Sequence, residues 1–236
     1  METGSIAEFY DRYAARQLAA GVNERHHMIR DLAVLHGLKD GMRVLEMGCG
    51  IGTLTGLLAQ RIPNGKLLAV DLSPTSIATA RRLLSGAKNV QLLAADVVTA
   101  PLDGPFDMIV LPDVLEHIPR DRHAALFARS KALLAPDGHI LIHSPDPYYS
   151  DWLHASRPDL RQVVDLALHL PDLITTMDGA GLVPIAFQRH SIWCDKPDYM
   201  AFVLVHAPKG HSYGERRPST WTLSSRIRSV ILRLFR

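Results

Sequence analysis

No stretch of 18 or more uncharged apolar residues occurs in the 236-residue chain, so no membrane-spanning helix is expected. Cysteine is scarce. Cys49 and Cys194 are too few to staple a disulfide-dependent fold, and no Cys-x-x-Cys pair suggests zinc or redox chemistry. The first residues, METGSIAEFYDRYAARQ, lack a basic n-region followed by an apolar h-region, so no secretory signal is expected and the cytoplasm is the expected location. A strong charge of one sign is also missing, with a net of +2. The charge is uneven, however: residues 209–236 hold seven of the 26 basic residues and one of the 24 acidic ones, leaving residues 1–208 at net −4. The body therefore has no electrostatic footprint for DNA or RNA. Apolar residues at 47% and charged residues at 21% exclude disordered, collagen-like and coiled-coil chains.

Short apolar runs at 42–47, 66–71, 90–95, 106–111 and 138–144 alternate with helically spaced segments at 53–61, 74–85 and 120–134. Pro63-Asn64-Gly65 and Pro136-Asp137-Gly138 carry turn chemistry, proline fixing φ and glycine accepting positive φ. This rhythm predicts an α/β fold with a doubly wound, mostly parallel sheet. Helices are expected at 158–168 and 171–179, each with proline near its start, and then an antiparallel pair of strands at 183–190 and 199–206.

The sharpest local signal is Val44-Leu45-Glu46-Met47-Gly48-Cys49-Gly50-Ile51-Gly52, a strand that runs through glycines into a helix near Thr53. Glycine admits a ligand against the backbone, and a helix N-terminus offers free amides. Glu46, just before this loop, would repel a pyrophosphate but suits an ammonium or sulfonium group. Asp71 ends the second strand, where a carboxylate can accept from both ribose hydroxyls, and Asp96 follows the third, in reach of an adenine amino group. Together these acids describe a nucleoside with a cationic amino-acid arm, S-adenosylmethionine.

VLEMGCGIG, LLAVDLSPTSIATAR, LLAADV, FDMIVLPDVLEHI and LLAPDGHILI resemble, in order and at matching spacings, the motifs of class I S-adenosylmethionine-dependent methyltransferases over residues 40–145. The resemblance implies a Rossmann-like sheet of seven strands, the last antiparallel. It also implies that Glu46, Gly48, Gly50 and Gly52 hold the methionine end, Asp71 and Leu72 the ribose and adenine, and Asp96 and Val97 the adenine. Cys49, inside the loop, is expected to pack beside the cofactor rather than to react. The implied layout is an N-terminal helical lid over 1–38, a methyltransferase domain over 39–207, a linker over 208–220 and a basic amphipathic helix over 221–236. The segment around Phe9 and Tyr10 resembles the lid helix of small-molecule members; Tyr13 is the cofactor contact expected from it, and Arg16 would meet the cofactor carboxylate. In the helix after Asn23, Met28, Leu32 and Leu35 are expected to face the sheet, with His26 and His27 solvated or capping.

After strand four, Asp113, Glu116 and His117 have i, i+3, i+4 spacing, and His143 ends the next strand. Asp113 also falls where it can touch the cofactor. Three readings stand side by side: His117 or His143 as general base toward a hydroxyl, a divalent metal on Asp113, Glu116 and His117, or structural residues only. Tyr148, Tyr149 and Trp152 are expected either to wall an acceptor pocket, with Arg157 clamping an anion, or to pack a cap under a proline-rich turn, with Trp193 in the core or in the pocket wall. The expected acceptor is a small molecule such as a natural product, sugar or quinol-like ring, methylated on oxygen by a monomer or homodimer. A peptide or RNA methyltransferase and a non-catalytic cofactor-binding module are the alternatives. In the tail, Leu223, Ile227, Val230, Ile231 and Leu234 form a helical stripe beside Arg226, Arg228, Arg233 and Arg236. That pattern suits a peripheral membrane surface or a partner.

Overall fold

A computed structural model describes residues 17–160 and 163–208; Tyr13 and Arg16 with the rest of lid residues 1–16, the linker from residue 209 and the basic tail lie outside these residues. Seven strands form one sheet: β1 (Arg43–Met47), β2 (Lys66–Asp71), β3 (Val90–Ala94), β4 (Phe106–Pro112), β5 (Leu134–Pro145), β6 (Leu182–His190) and β7 (Tyr199–His206). Their order is β3-β2-β1-β4-β5-β7-β6, with β7 antiparallel to both β5 and β6 and the pairs from β3 to β5 parallel. This is the expected seven-stranded, doubly wound, Rossmann-like sheet.

Side chains alternate across each strand, so the sheet feeds two cores. One face carries Leu45, Met47, Ile109, Leu111, Ile140 and Phe202 against Leu126 and Phe127 of α4 (His123–Leu133) and Leu173 and Met177 of α6 (Leu170–Gly179). The other carries Val44, Met108, Val110 and Leu141 against Ile29 and Leu32 of α1 (Glu24–Leu35) and Leu54 and Leu58 of α2 (Thr53–Ala59). Each fully buried side chain contributes about 1.5–3 kcal/mol, so this two-sided burial holds the strand ends in register. α3 (Pro74–Leu83) starts as its sequence dictates, with Pro74 at its first turn and the Ser73 hydroxyl accepting from the Ser76 N–H at 3.0 Å.

Four expectations are corrected. The stretch 158–168 forms only a 3-10 turn at Pro158–Leu160, and the helix lies earlier as α5 (Pro147–Ser156), capped by Asp146, whose carboxylate accepts from the Tyr148 N–H at 3.0 Å. Residues 164–166 are held instead by tertiary bonds: the Leu166 N–H donates to the Glu116 carbonyl and the His117 ring to the Val164 carbonyl. The Pro136-Asp137-Gly138 turn does not precede β5 but lies inside it, as an irregularity in the register between Phe106↔Leu134 and Met108↔His139. On α1, Ile29, Leu32 and Ala33 are the buried residues, while Leu35 is 71% exposed; the apolar stripe begins one residue later than the sequence suggests. The Arg120–Leu134 helix starts at His123, after a 3-10 turn at Arg120–Arg122.

Candidate active site

One cavity of about 520 Å³ opens along the carboxyl ends of the strands, where doubly wound sheets bind ligands. Glu46, Gly48, Cys49, Gly50, Asp71, Leu72, Asp96, Val97, Asp113 and His117 all line it. Gly52 does not; it is the N-cap of α2.

The loop between β1 and α2 is tied to the end of β2. The Gly48 and Cys49 N–H groups donate to the Val70 carbonyl at 2.7 and 3.0 Å, and the Gly50 N–H donates to Asp71 Oδ2 at 2.7 Å. Gly48 has φ of +84°, and a Cβ there would meet Val114 Cγ2 at 2.0 Å, so only glycine fits. The second carboxylate oxygen of Asp71 accepts from the Ser73 N–H at 2.9 Å, which holds this acid at the strand end.

Glu46 is completely buried, yet it borders the cavity. Its Oε2 accepts from the Thr55 hydroxyl at 2.7 Å, while Oε1 has no hydrogen-bond partner among the described residues. Burial pushes its carboxyl up to about 7, against the bond from Thr55. An ammonium group would supply both the missing partner and the missing charge, so the residues present fit the amino-acid end of S-adenosylmethionine. At the far end, Asp96 Oδ1 accepts from the Val98 N–H at 2.9 Å and Oδ2 pairs with Arg122 at 2.5 Å. Burial drives the Cys49 thiol well above its ordinary range, which agrees with a packing role.

Strand β4 ends in a compact charged cluster. Asp113 adopts φ of +53°, strained for a residue with a side chain. Its Oδ2 pairs with Arg25 at 2.7 Å and its Oδ1 with His143 Nδ1 at 2.6 Å. Burial opposes its charge, but Arg25 and His143 outweigh burial and hold the carboxyl at about 2. His143 is fully buried behind Asp113, its Nε2 3.1 Å from His190 Nε2 and its ring stacked on Tyr199 at 4.9 Å. It is not on the cavity wall.

His117 is. Its Nδ1 lies 2.8 Å from the Val164 carbonyl. A carbonyl only accepts, so Nδ1 carries the proton and Nε2 is the basic nitrogen of the neutral ring. Burial lowers its pKa below the ordinary histidine value, against the Val164 bond and the field of Asp165 and Asp113.

Glu116 lies beside His117, its Oε1 3.9 Å from His117 Nε2, on a 3-10 turn at Leu115–His117 rather than an α-helix. Its Oε2 accepts from the Ser144 hydroxyl at 2.9 Å, and burial, reinforced by Asp113, pushes its carboxyl well above the usual range. Among the described residues no group of three His, Cys, Asp or Glu side chains is placed to hold a metal ion; Asp113 is engaged by Arg25 and His143, and Glu116 faces Ser144.

The expected aromatic wall is also corrected. Tyr148 and Trp152 are exposed on α5, Arg157 pairs with Asp159 at the surface, and none of them, nor Tyr149, lines the cavity. Arg25, Arg122 and Tyr199 line it without being marked by the sequence, and so does His26, expected to be solvated or capping. His26 is at the same time part of the α1 cap, its Nδ1 accepting from the Asn23 N–H at 3.2 Å. The Asn23 cap signals where α1 begins and so places Arg25 in its first turn, whereas Arg122 and Tyr199 reach the cavity only through tertiary pairing.

The fold is a Rossmann-like domain with an acid-lined cavity at the carboxyl ends of its strands. Residues 44–138 match the family described as "Methyltransferase domain". The chain is 36% identical to a trans-aconitate 2-methyltransferase of Methylobacterium nodulans over 132 residues, 56% of this chain and 49% of that protein. The chain thus spans about half the length of the curated relatives it matches. Among solved structures, the fold is similar to 1,6-didemethyltoxoflavin-N1-methyltransferase of Burkholderia thailandensis with bound S-adenosylhomocysteine (TM-score 0.66, 18% identity, 87% of each chain). It is also similar to magnesium protoporphyrin IX methyltransferase of Synechocystis with bound S-adenosylhomocysteine (TM-score 0.65, 16% identity, 87% of this chain and 99% of that one). Residues 44–138 thus carry the methyltransferase-domain pattern, on a fold shared with solved S-adenosylmethionine-dependent methyltransferases.

Proposed function

We propose that the protein transfers a methyl group from S-adenosylmethionine to an oxygen of a small-molecule acceptor, with His117 as general base. The observation that carries this reading is a single cavity joining Glu46, Asp71 and Asp96, which suit the cofactor, to the neutral imidazole of His117. Glu46 would hold the ammonium, Asp71 with Leu72 the ribose, and Asp96 with Val97 the adenine. Bound there, the cofactor supplies an electrophilic methyl group. Displacement at a sulfonium needs alignment more than covalent help. His117 Nε2 takes the proton of the acceptor hydroxyl, and Asp165 and Asp113 favour the imidazolium so formed. Buried His143 and Arg25 hold Asp113, so we assign His143 a positioning role.

The net charge of −4 on residues 1–208 disfavours RNA as acceptor. Incubation with methyl-labelled cofactor and a small-molecule extract is expected to place label in a low-mass product. Label appearing only in protein or RNA, or nowhere, overturns the reading.

Among the described residues no helix is long and apolar enough to cross a membrane. For the basic tail we propose reversible contact with anionic membranes, supported by its sequence pattern. The full chain should co-sediment with anionic vesicles at low salt and release as salt is raised; a chain ending at Pro208 should not.

A further inference from the structure

The cavity extends beyond what the cofactor residues account for. Asp71 and Asp96 mark the ends of β2 and β3, whereas Trp193 and Tyr199 line the cavity from the β6–β7 side of the sheet. From β2 to β7 the strand order crosses β1, β4 and β5, about 19 Å at about 4.8 Å per strand spacing. His117 lies between, after β4. A ligand part lying beyond His117 is therefore the acceptor.

Trp193 is 55% exposed, although its loop is firmly pinned. Asp198, completely buried, accepts from the Ile192 N–H at 2.7 Å and the Trp193 N–H at 2.9 Å. The Asp198 N–H donates to the His190 carbonyl at 3.2 Å, and its carbonyl accepts from the Asp146 N–H at 2.9 Å. Asp146 is itself fully buried and paired with Arg189 at 2.5 Å. A buried carboxylate thus fixes the backbone of Trp193, whose large flat side chain stays exposed at the rim of the cavity and hydrogen-bonds Tyr199. Tyr199, next in sequence to Asp198, is held by its stack on His143. An indole face kept open in this way suits a partner with its own π-face, since offset stacking adds to the burial of area.

On the methyltransferase reading given above, we infer that Trp193 is a specificity-determining residue whose indole stacks on the acceptor, and that the acceptor bears a planar, conjugated or aromatic ring. Asp198 is the positioning residue that fixes this platform.

The test is calorimetric titration of the full chain, saturated with S-adenosylhomocysteine, using two probes that share a hydroxyl and differ in planarity: 2-naphthol and decahydro-2-naphthol. The wild type should bind 2-naphthol at least tenfold more tightly than its saturated counterpart. Trp193→Phe should stay within about threefold of wild type, whereas Trp193→Leu, still apolar but without a π-face, should lose at least tenfold. Asp198→Asn should lower 2-naphthol affinity in the same direction. S-adenosylhomocysteine affinity should stay within twofold in all three variants. Equal affinity for the two probes, no 2-naphthol binding to the loaded protein, or a Trp193→Leu variant that binds it like wild type overturns the inference and leaves the methyltransferase reading standing. Failure of the wild type to bind S-adenosylhomocysteine overturns both.

Discussion

Replacing Gly48 by alanine should destabilise the fold by about 2–5 kcal/mol and abolish measurable binding of S-adenosylhomocysteine. Two costs combine. The backbone at Gly48 lies at φ +84°, where an L side chain costs about 1–2 kcal/mol. The new Cβ would also sit 2.0 Å from Val114 Cγ2, and overpacking of this kind costs about 1–3 kcal/mol. Valine cannot swing away cheaply because its branched Cβ restricts χ1. Any relief must move the backbone next to Asp113, and with it the Arg25 and His143 pairs. Against a total stability of about 5–15 kcal/mol, the loss should appear as a lower urea midpoint at unchanged slope. Adding Val114→Ala should recover the overlap cost and leave the conformational one. An unchanged midpoint in Gly48→Ala would refute the account of the loop.

The second large effect is on catalysis. His117→Asn should lower kcat by about 10²–10⁴-fold, the range for a lost general base, with S-adenosylhomocysteine affinity within twofold of wild type. The pH profile carries the same information. The reactive form is the neutral ring, and burial lowers its pKa, so the acid limb of the rate profile should fall below the ordinary histidine value of 6.5. That limb should vanish in the variant. A kcat within threefold of wild type, once the acceptor is in hand, removes His117 from the role of base. Equal loss in His143→Asn without change in the acid limb would agree with the positioning role of that residue, since His143 touches Asp113 and not the cavity.

The parallel half of the fold was legible because its signals are local. Buried strands read as apolar runs, and the Gly48–Gly52 loop and the acids at strand ends occur at fixed places in the chain. What escaped is tertiary. The 158–168 stretch has helical spacing and a well-placed proline, yet the Val164 carbonyl and Leu166 N–H are drawn to the Leu115–His117 turn. Those bonds outweigh a propensity of a few tenths of a kcal/mol per residue. The same displacement explains the misplaced aromatic wall: with α5 starting at Pro147, Tyr148 and Trp152 turn outward. Tyr199 reached the cavity because β7 inserts between β5 and β6, an order that no local pattern encodes. Sequence spacing treats Glu116, His117 and His143 alike, whereas burial and bonding separate His117 on the cavity wall from the two residues behind it.

The account rests on Glu46 and Asp71 holding S-adenosylmethionine, and titrating the full chain with S-adenosylhomocysteine in a calorimeter tests it most directly. The free protein holds the Glu46 carboxyl at about 7, and a bound ammonium lowers that value, so the complex carries fewer protons than the free protein. Affinity should therefore rise with pH up to about 7 and level off above it, and Glu46→Gln should remove this dependence. At pH 8, Asp71→Ala should bind at least about tenfold more weakly than wild type, the 1.5 kcal/mol or more expected for hydrogen bonds to a charged group. Binding that is absent in the wild type, or identical in wild type and Asp71→Ala, would contradict the account.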